Sequence, residues 1–141
     1  MRDDTDSPDG PPPNLLRSTF AVLAGFLAVV TLSLATDHAL QLAKVYPGWG
    51  RPVLDPGLNL LALSYRCVYA TLGSYLAARW APRRPMRHAL VLGVIGLLLS
   101  LLGALVAIQN RFGPAWYPLA LAATTLPCAW LGGRLGQSRR A

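Results

Sequence analysis

Long apolar stretches, separated by short segments that hold the charged residues, are the main feature of the chain. The stretches without a charged residue are 18–36, 67–78, 89–110 and 112–133. Most of them reach the roughly 20 residues that a helix needs to cross a hydrocarbon core of about 30 Å. The second does so only if Arg66 is included, in a helix that begins near Gly57. The pattern predicts an all-α polytopic membrane protein, a four-transmembrane-helix bundle with helices at about 15–37, 57–79, 88–109 and 116–134.

The composition argues against an ordinary soluble domain. Of the 141 residues, 53% are hydrophobic and only 13% are charged, and the mean hydropathy is +0.39. Soluble domains carry about 25% charged residues. The net charge of +7 and the pI near 10.3 suit a nucleic-acid-binding protein, but the basic residues form no patch interleaved with aromatic side chains. We therefore expect the lipid bilayer, and no nucleic acid, as partner.

The basic residues sort by side of the predicted membrane. Nine lie at one side, namely Arg2, Arg17, Arg79, Arg83, Arg84, Arg87, Arg134, Arg139 and Arg140, and three at the other, namely Lys44, Arg51 and Arg111. Because basic residues concentrate in cytoplasmic loops, the asymmetry predicts cytoplasmic N and C termini. Twelve arginines, one lysine and no glutamate are typical of a GC-rich bacterial genome. We therefore expect the inner (plasma) membrane of a bacterium.

Two tails flank the predicted membrane domain. Residues 1–13 are acidic and proline-rich, which predicts a disordered cytoplasmic tail. The four-helix domain then covers 14–136, and 137–141 form a second cytoplasmic tail. Helices 2 and 4 end alike, because 75–79 (YLAAR) and 130–134 (WLGGR) share an aromatic residue, a leucine, two small residues and an arginine. The likeness indicates two helical hairpins in the same orientation, a parallel repeat.

Arg66 is the basic residue that lies deepest inside a predicted span. It lies about 20 Å from the cytoplasmic end of its helix, roughly 10 Å below the outer boundary. At that depth an arginine costs about 2–3 kcal/mol and needs a partner. Asp37, at the outer end of helix 1, matches this depth. Three interpretations stay open: an ion pair that joins helices 1 and 2, an anion or lipid-headgroup site, and an arginine that extends to the outer surface.

The remaining polar residues of the spans give a weaker signal. His38, Tyr69, Gln109 and Asn110 are candidates for a polar cluster at the outer face. Cys67 and Cys128 lie within predicted helices and are expected to be apolar packing residues rather than a disulfide. No catalytic triad, metal-ligand spacing or phosphate-binding loop is recognisable. We expect no enzyme activity, no metal and no cofactor.

Several segments carry a family resemblance. They are Ala35-Thr36-Asp37-His38, the run 78–90 around Trp80-Ala81-Pro82, Trp116-Tyr117-Pro118, and the run 127–133. They resemble a group of small bacterial four-helix integral membrane proteins, hypothetical proteins without a known activity. The resemblance covers about residues 18–135. It implies the four-helix fold and no particular function.

Two functions are compatible with this pattern. The first is a non-catalytic membrane protein with a structural or accessory role, whose helices pack on each other, on a second copy or on another membrane protein. The alternative is a small oligomeric transporter or channel subunit for an anion, lipid or small solute. The environment of Arg66 distinguishes them, because transport needs a water-accessible cavity whereas a structural role needs a dry ion pair.

Overall fold

The computed structural model describes residues 13–48 and 50–138. This part of the chain is all-α, with four helices and no strand: α1 (Pro13–Leu42), α2 (Pro56–Trp80), α3 (Pro85–Gln109) and α4 (Trp116–Ser138). The predicted helices are present, and the tails 1–12 and 139–141 lie outside the described residues. Proline at the first positions of α2 and α3 suits a helix start, where no backbone donor is needed.

The largest difference from the predicted boundaries is at the end of α1. The prediction ended this helix at Asp37, whereas it continues to Leu42 and ends before Lys44, which has a left-handed φ of 59°. No proline or glycine interrupts 37–42, so nothing in the local sequence stops the helix. Asp37 therefore lies inside a helix. The α4 helix also runs on to Ser138, into the segment predicted as a tail.

The helices α2 and α4 form the centre of the bundle. They pack on each other, α1 packs on α2, and α3 packs on α4. A two-fold repeat relates α1 to α3 and α2 to α4, so α1 should pack on α4 as α3 packs on α2. Within the described residues, α2 contacts α3, whereas α1 and α4 make no contact. The packing is therefore not that of two equivalent hairpins.

Glycines let the helix backbones approach each other closely. A Cβ on Gly25 of α1 would lie 2.5 Å from the carbonyl oxygen of Gly73 in α2. A Cβ on Gly132 of α4 would lie 2.9 Å from the backbone nitrogen of Tyr75, and one on Gly93 of α3 would lie 2.5 Å from Cβ of Ala129. Such small-residue contacts maximise van der Waals packing between helices where no hydrophobic effect drives their association.

The distribution of large and small side chains is the reverse of that in a soluble protein. The buried apolar residues are alanines and one leucine: Ala21, Ala62, Ala77, Ala78, Ala81, Ala89, Leu92, Ala104, Ala122 and Ala129. No large side chain of the described residues is fully buried, and leucines such as Leu27 and Leu102 are about 60% exposed (59% and 62%). Two helices, Leu15–Leu42 and Pro85–Gln109, are long and apolar enough to cross a membrane, and only 11% and 17% of their most apolar windows are buried.

The connection between α1 and α2 is held by polar contacts at the predicted outer end. The buried amide of Asn59 donates to the carbonyls of Val53 and Asp55 at 2.9 Å. The hydroxyl of Tyr46 donates to Leu58 O at 3.1 Å, and Val53 N donates to Phe112 O in the α3–α4 connection. These bonds join both outer connections to the top of α2.

Replacing a contact glycine should separate the central helices. We expect Gly132→Ala to lower the thermal stability of the purified protein in detergent, because its Cβ meets the backbone of α2 and overpacking costs about 1–3 kcal/mol. Gly103→Ala is the matched control, since nothing lies within 4 Å of a Cβ at Gly103. Equal melting temperatures for the two variants would contradict the close α2–α4 packing.

Candidate functional site

The two charged residues of the predicted pair meet between α1 and α2. The Nη2 atom of Arg66 donates to Oδ2 of Asp37 at 2.7 Å. The side chains are 31% and 16% exposed, respectively, so the pair is only partly accessible. The continuation of α1 beyond Asp37 makes this contact possible, because it holds the carboxylate on a regular helix that packs along α2.

Tyr65 completes the site, and sequence reasoning missed it. Its hydroxyl donates to Oδ1 of Asp37, so each carboxylate oxygen accepts one hydrogen bond. A search for neighbours three or four residues from Arg66 finds residues on the same helix face, whereas Tyr65 directly precedes Arg66. One further bond joins the same helices: the hydroxyls of Thr36 and Tyr69 are 2.8 Å apart.

The guanidinium of Arg66 retains donors that Asp37 does not use. Its Nε atom is buried and has no acceptor among the described residues. The two-bond arrangement that arginine forms with a carboxylate is not made here, because Tyr65 bonds the second oxygen of Asp37. A buried donor without an acceptor costs about 1–3 kcal/mol. This cost falls on the α1–α2 contact, because Nε has no accessible surface at which a ligand could supply an acceptor.

Three cavities meet at Arg66. The outer cavity has a volume of about 540 Å³ and contains polar side chains from α1, the α1–α2 connection, α2 and α4, including Asp37, Arg51, Asn59, Tyr65 and Tyr117. The inner cavity, of about 290 Å³, extends from Asp37 and Arg66 toward Ser74 and Gly93. The lateral groove, of about 500 Å³, extends along α3 from Ile108 to Gly96, with α1 on its opposite side.

The predicted outer-face cluster is not assembled by hydrogen bonds. His38, Gln109 and Asn110 are exposed. The amide of Asn110 donates to Val106 O in its own helix at 2.8 Å, and Tyr69 pairs with Thr36. In the ranges 13–48 and 50–138, no hydrogen bond joins these four side chains to each other.

The chemistry of the remaining side chains is limited. The described residues include no group of three or more histidine, cysteine, aspartate or glutamate side chains that could hold a metal ion. Cys67 and Cys128 are both free thiols, and Cys128 interacts with Cys67 and Thr71 across the α2–α4 contact. The arrangement around Arg66 can bind an acceptor group, because it combines unused donors with cavity space.

Comparisons with protein-family models, curated proteins and solved structures give no match to the chain. The resemblance to small four-helix bacterial membrane proteins stays a prediction. The geometry around Arg66 and the distribution of apolar and charged residues therefore carry the functional conclusions.

The Asp37–Arg66 contact predicts non-additive substitutions. Asp37→Asn and Arg66→Leu should each destabilise the protein, because each leaves an unpaired charge or acceptor between α1 and α2. We expect each loss to be about 1–3 kcal/mol, below the 3–5 kcal/mol for a fully buried pair, since both side chains are partly exposed. The double variant should recover part of the loss, as measured by thermal unfolding in detergent.

Arg111 provides the control for this cycle. It is exposed in the α3–α4 connection and does not line the cavities that meet at Arg66. The effects of Asp37→Asn and Arg111→Leu should therefore add. If the stability losses of Asp37→Asn and Arg66→Leu also added without remainder, the two charges would not be coupled.

Proposed function

We propose that the chain is a non-catalytic integral membrane protein that crosses the bacterial inner membrane four times and has an accessory, binding role at its outer side. One observation carries the membrane assignment: small residues fill the interior, and the large apolar side chains point outward. A soluble protein buries its large apolar residues. A surface with this composition is stable only where lipid chains cover it.

The same argument extends to α2 and α4, which are less apolar than α1 and α3. They contain 25 and 23 residues, so they are about 37 and 35 Å long and exceed a hydrocarbon core of about 30 Å. Their threonine hydroxyls bond within the helix, as Thr71 does to Cys67 O at 2.9 Å and Thr125 to Leu121 O at 2.8 Å. These polar groups therefore do not require water.

Aromatic and basic residues at the helix ends support the orientation. Trp80 at the end of α2 and Trp116 at the start of α4 are 46% and 41% exposed, as expected for side chains at the two membrane interfaces. The guanidinium carbon of Arg134 lies 4.7 Å from the ring centre of Trp130. With nine basic residues at this end and three at the other, the cytoplasmic side is that of the termini.

The shape of the bundle favours an accessory binding role over transport. Toward the cytoplasmic end, Ala77, Ala78 and Ala89 are completely buried, and a Cβ on Gly136 would lie 2.6 Å from Cβ of Ala78. The cavities around Arg66 lie on the outer side of this closed layer. The transporter or channel alternative needs a path through it. Anion efflux from proteoliposomes above the rate of protein-free vesicles would favour that alternative.

Cysteine labelling tests the orientation. In a variant with Cys67→Ser and Cys128→Ser, we expect Gly48→Cys to react with a membrane-impermeant maleimide in intact cells. Ser138→Cys should react only after the membrane is opened. Gly48 suits the test because nothing lies within 4 Å of a Cβ added at this position. At Gly50 the φ of 79° would strain a cysteine. The opposite labelling pattern, or equal labelling of both sites in intact cells, would contradict the proposal.

A further inference from the structure

The outer cavity and the lateral groove are adjacent and share part of their lining. Five residues line both: Val53, Asn59, Arg66, Phe112 and Tyr117. The outer cavity contributes the charged and hydrogen-bonding side chains. The lateral groove continues from it between α1 and α3 and is lined mainly by apolar and small residues. A polar compartment joined to an apolar one fits a molecule with a polar head and an apolar chain.

The groove has the length of one membrane leaflet. It follows α3 from Gly96 to Ile108, a rise of about 18 Å, compared with about 15 Å for half of the hydrocarbon core. Near the other end of the bundle α1 approaches α3, because a Cβ on Gly25 would lie 3.0 Å from Leu92. This contact separates the lateral groove from another groove of about 390 Å³ between the same helices, which is lined by Val22, Arg87 and Val91 at the proposed cytoplasmic side.

The charges of the outer cavity favour an anion. Arg51 and Arg66 contribute two positive charges and Asp37 one negative charge, which leaves an excess of one positive charge. Arg66 uses Nη2 for its bond to Asp37 and also lines the cavity, and Arg51 is exposed at the cavity rim. Guanidinium groups bind phosphate oxygens through paired hydrogen bonds.

From these features we propose that the protein binds one anionic phospholipid of the outer leaflet, with the phosphate between Arg51 and Arg66 and one acyl chain in the lateral groove. The inference rests on the proposed function, because it places the groove in the outer leaflet. A free phosphate would satisfy the arginines alone. The lipid accounts for both compartments, because its phosphate meets the arginines and its chain packs along the apolar walls of the groove.

The headgroup half of the proposal is tested by native mass spectrometry of the full chain in detergent. Dioleoylphosphatidylglycerol should bind with one equivalent and more tightly than dioleoylphosphatidylcholine, which has no net charge. Arg51→Gln should weaken phosphatidylglycerol binding about fivefold, since one arginine near a lipid surface contributes roughly that factor. The matched control is Arg111→Gln, another exposed arginine of the outer connections that does not line the cavity. It should leave binding unchanged.

The placement of the acyl chain is tested by filling the lateral groove. Gly103 lines the groove, and a Cβ added at this position meets nothing within 4 Å. The Gly103→Leu variant should therefore fold, and it should weaken the binding of both lipids equally. Val94→Leu adds bulk to α3 outside the groove and should have no effect. If Gly103→Leu weakened the binding of only one of the two lipids, the placement of the acyl chain in the groove would be contradicted.

Two outcomes would overturn the inference. The first is equal binding of the two lipids, or binding that Arg51→Gln does not change. The second is displacement of the lipid by glycerol 1-phosphate at equal concentration, which would show a free-anion site. Either result with correct cysteine labelling overturns the lipid inference alone, whereas inverted labelling overturns the membrane topology on which it rests.

Discussion

In the proposed topology Arg66 is a positive charge inside the outer half of a bilayer; such a charge requires a counter-charge, and this requirement organises that end of the bundle. Arg66 meets it through Asp37, and Tyr65 occupies the second carboxylate oxygen. The contact ties α1 to α2 along a seam that also contains the Thr36–Tyr69 bond. Because Asp37 takes up only one donor of the guanidinium, the same pair that joins the helices leaves binding capacity toward the cavities.

The half of the bundle that is proposed to face the cytoplasm depends on a different kind of contact. Here Gly132 and Gly136 bring α4 against α2, and alanines fill the remaining space. Tight packing of small residues gives a rigid, closed layer, since close backbone approach leaves no room for water. The bundle thus combines closely packed α2–α4 backbones at the proposed cytoplasmic end with cavities around Arg66 at the proposed outer end. This division suits one-sided binding better than passage across the membrane.

The sequence predicted the helices well and the site only in part. Asp37 could be paired with Arg66 because few acidic residues lie outside the N-terminal tail and their depths match. The predicted end of α1 was wrong because the charge of Asp37 was taken as the membrane boundary. Asp37 instead pairs with Arg66 and lies within a helix that continues to Leu42. Tyr65 was missed because a search by helix face considers residues three or four positions from Arg66, and Tyr65 directly precedes it. The cavities depend on the gap between α1 and α3, which no single-residue pattern encodes.

The central claim is that Arg66 and Asp37 are in direct contact within the membrane. Solid-state NMR on the full chain in phosphatidylglycerol-containing bilayers tests it, with nitrogen-15 in arginine and carbon-13 in the aspartate carboxyl groups. The account predicts strong dipolar dephasing of one carboxyl signal by arginine side-chain nitrogen, and loss of that signal in Asp37→Asn. A carboxyl signal of Asp37 that arginine nitrogen does not dephase would contradict the account, because the arginine would then lack the partner on which the outer half of the bundle depends.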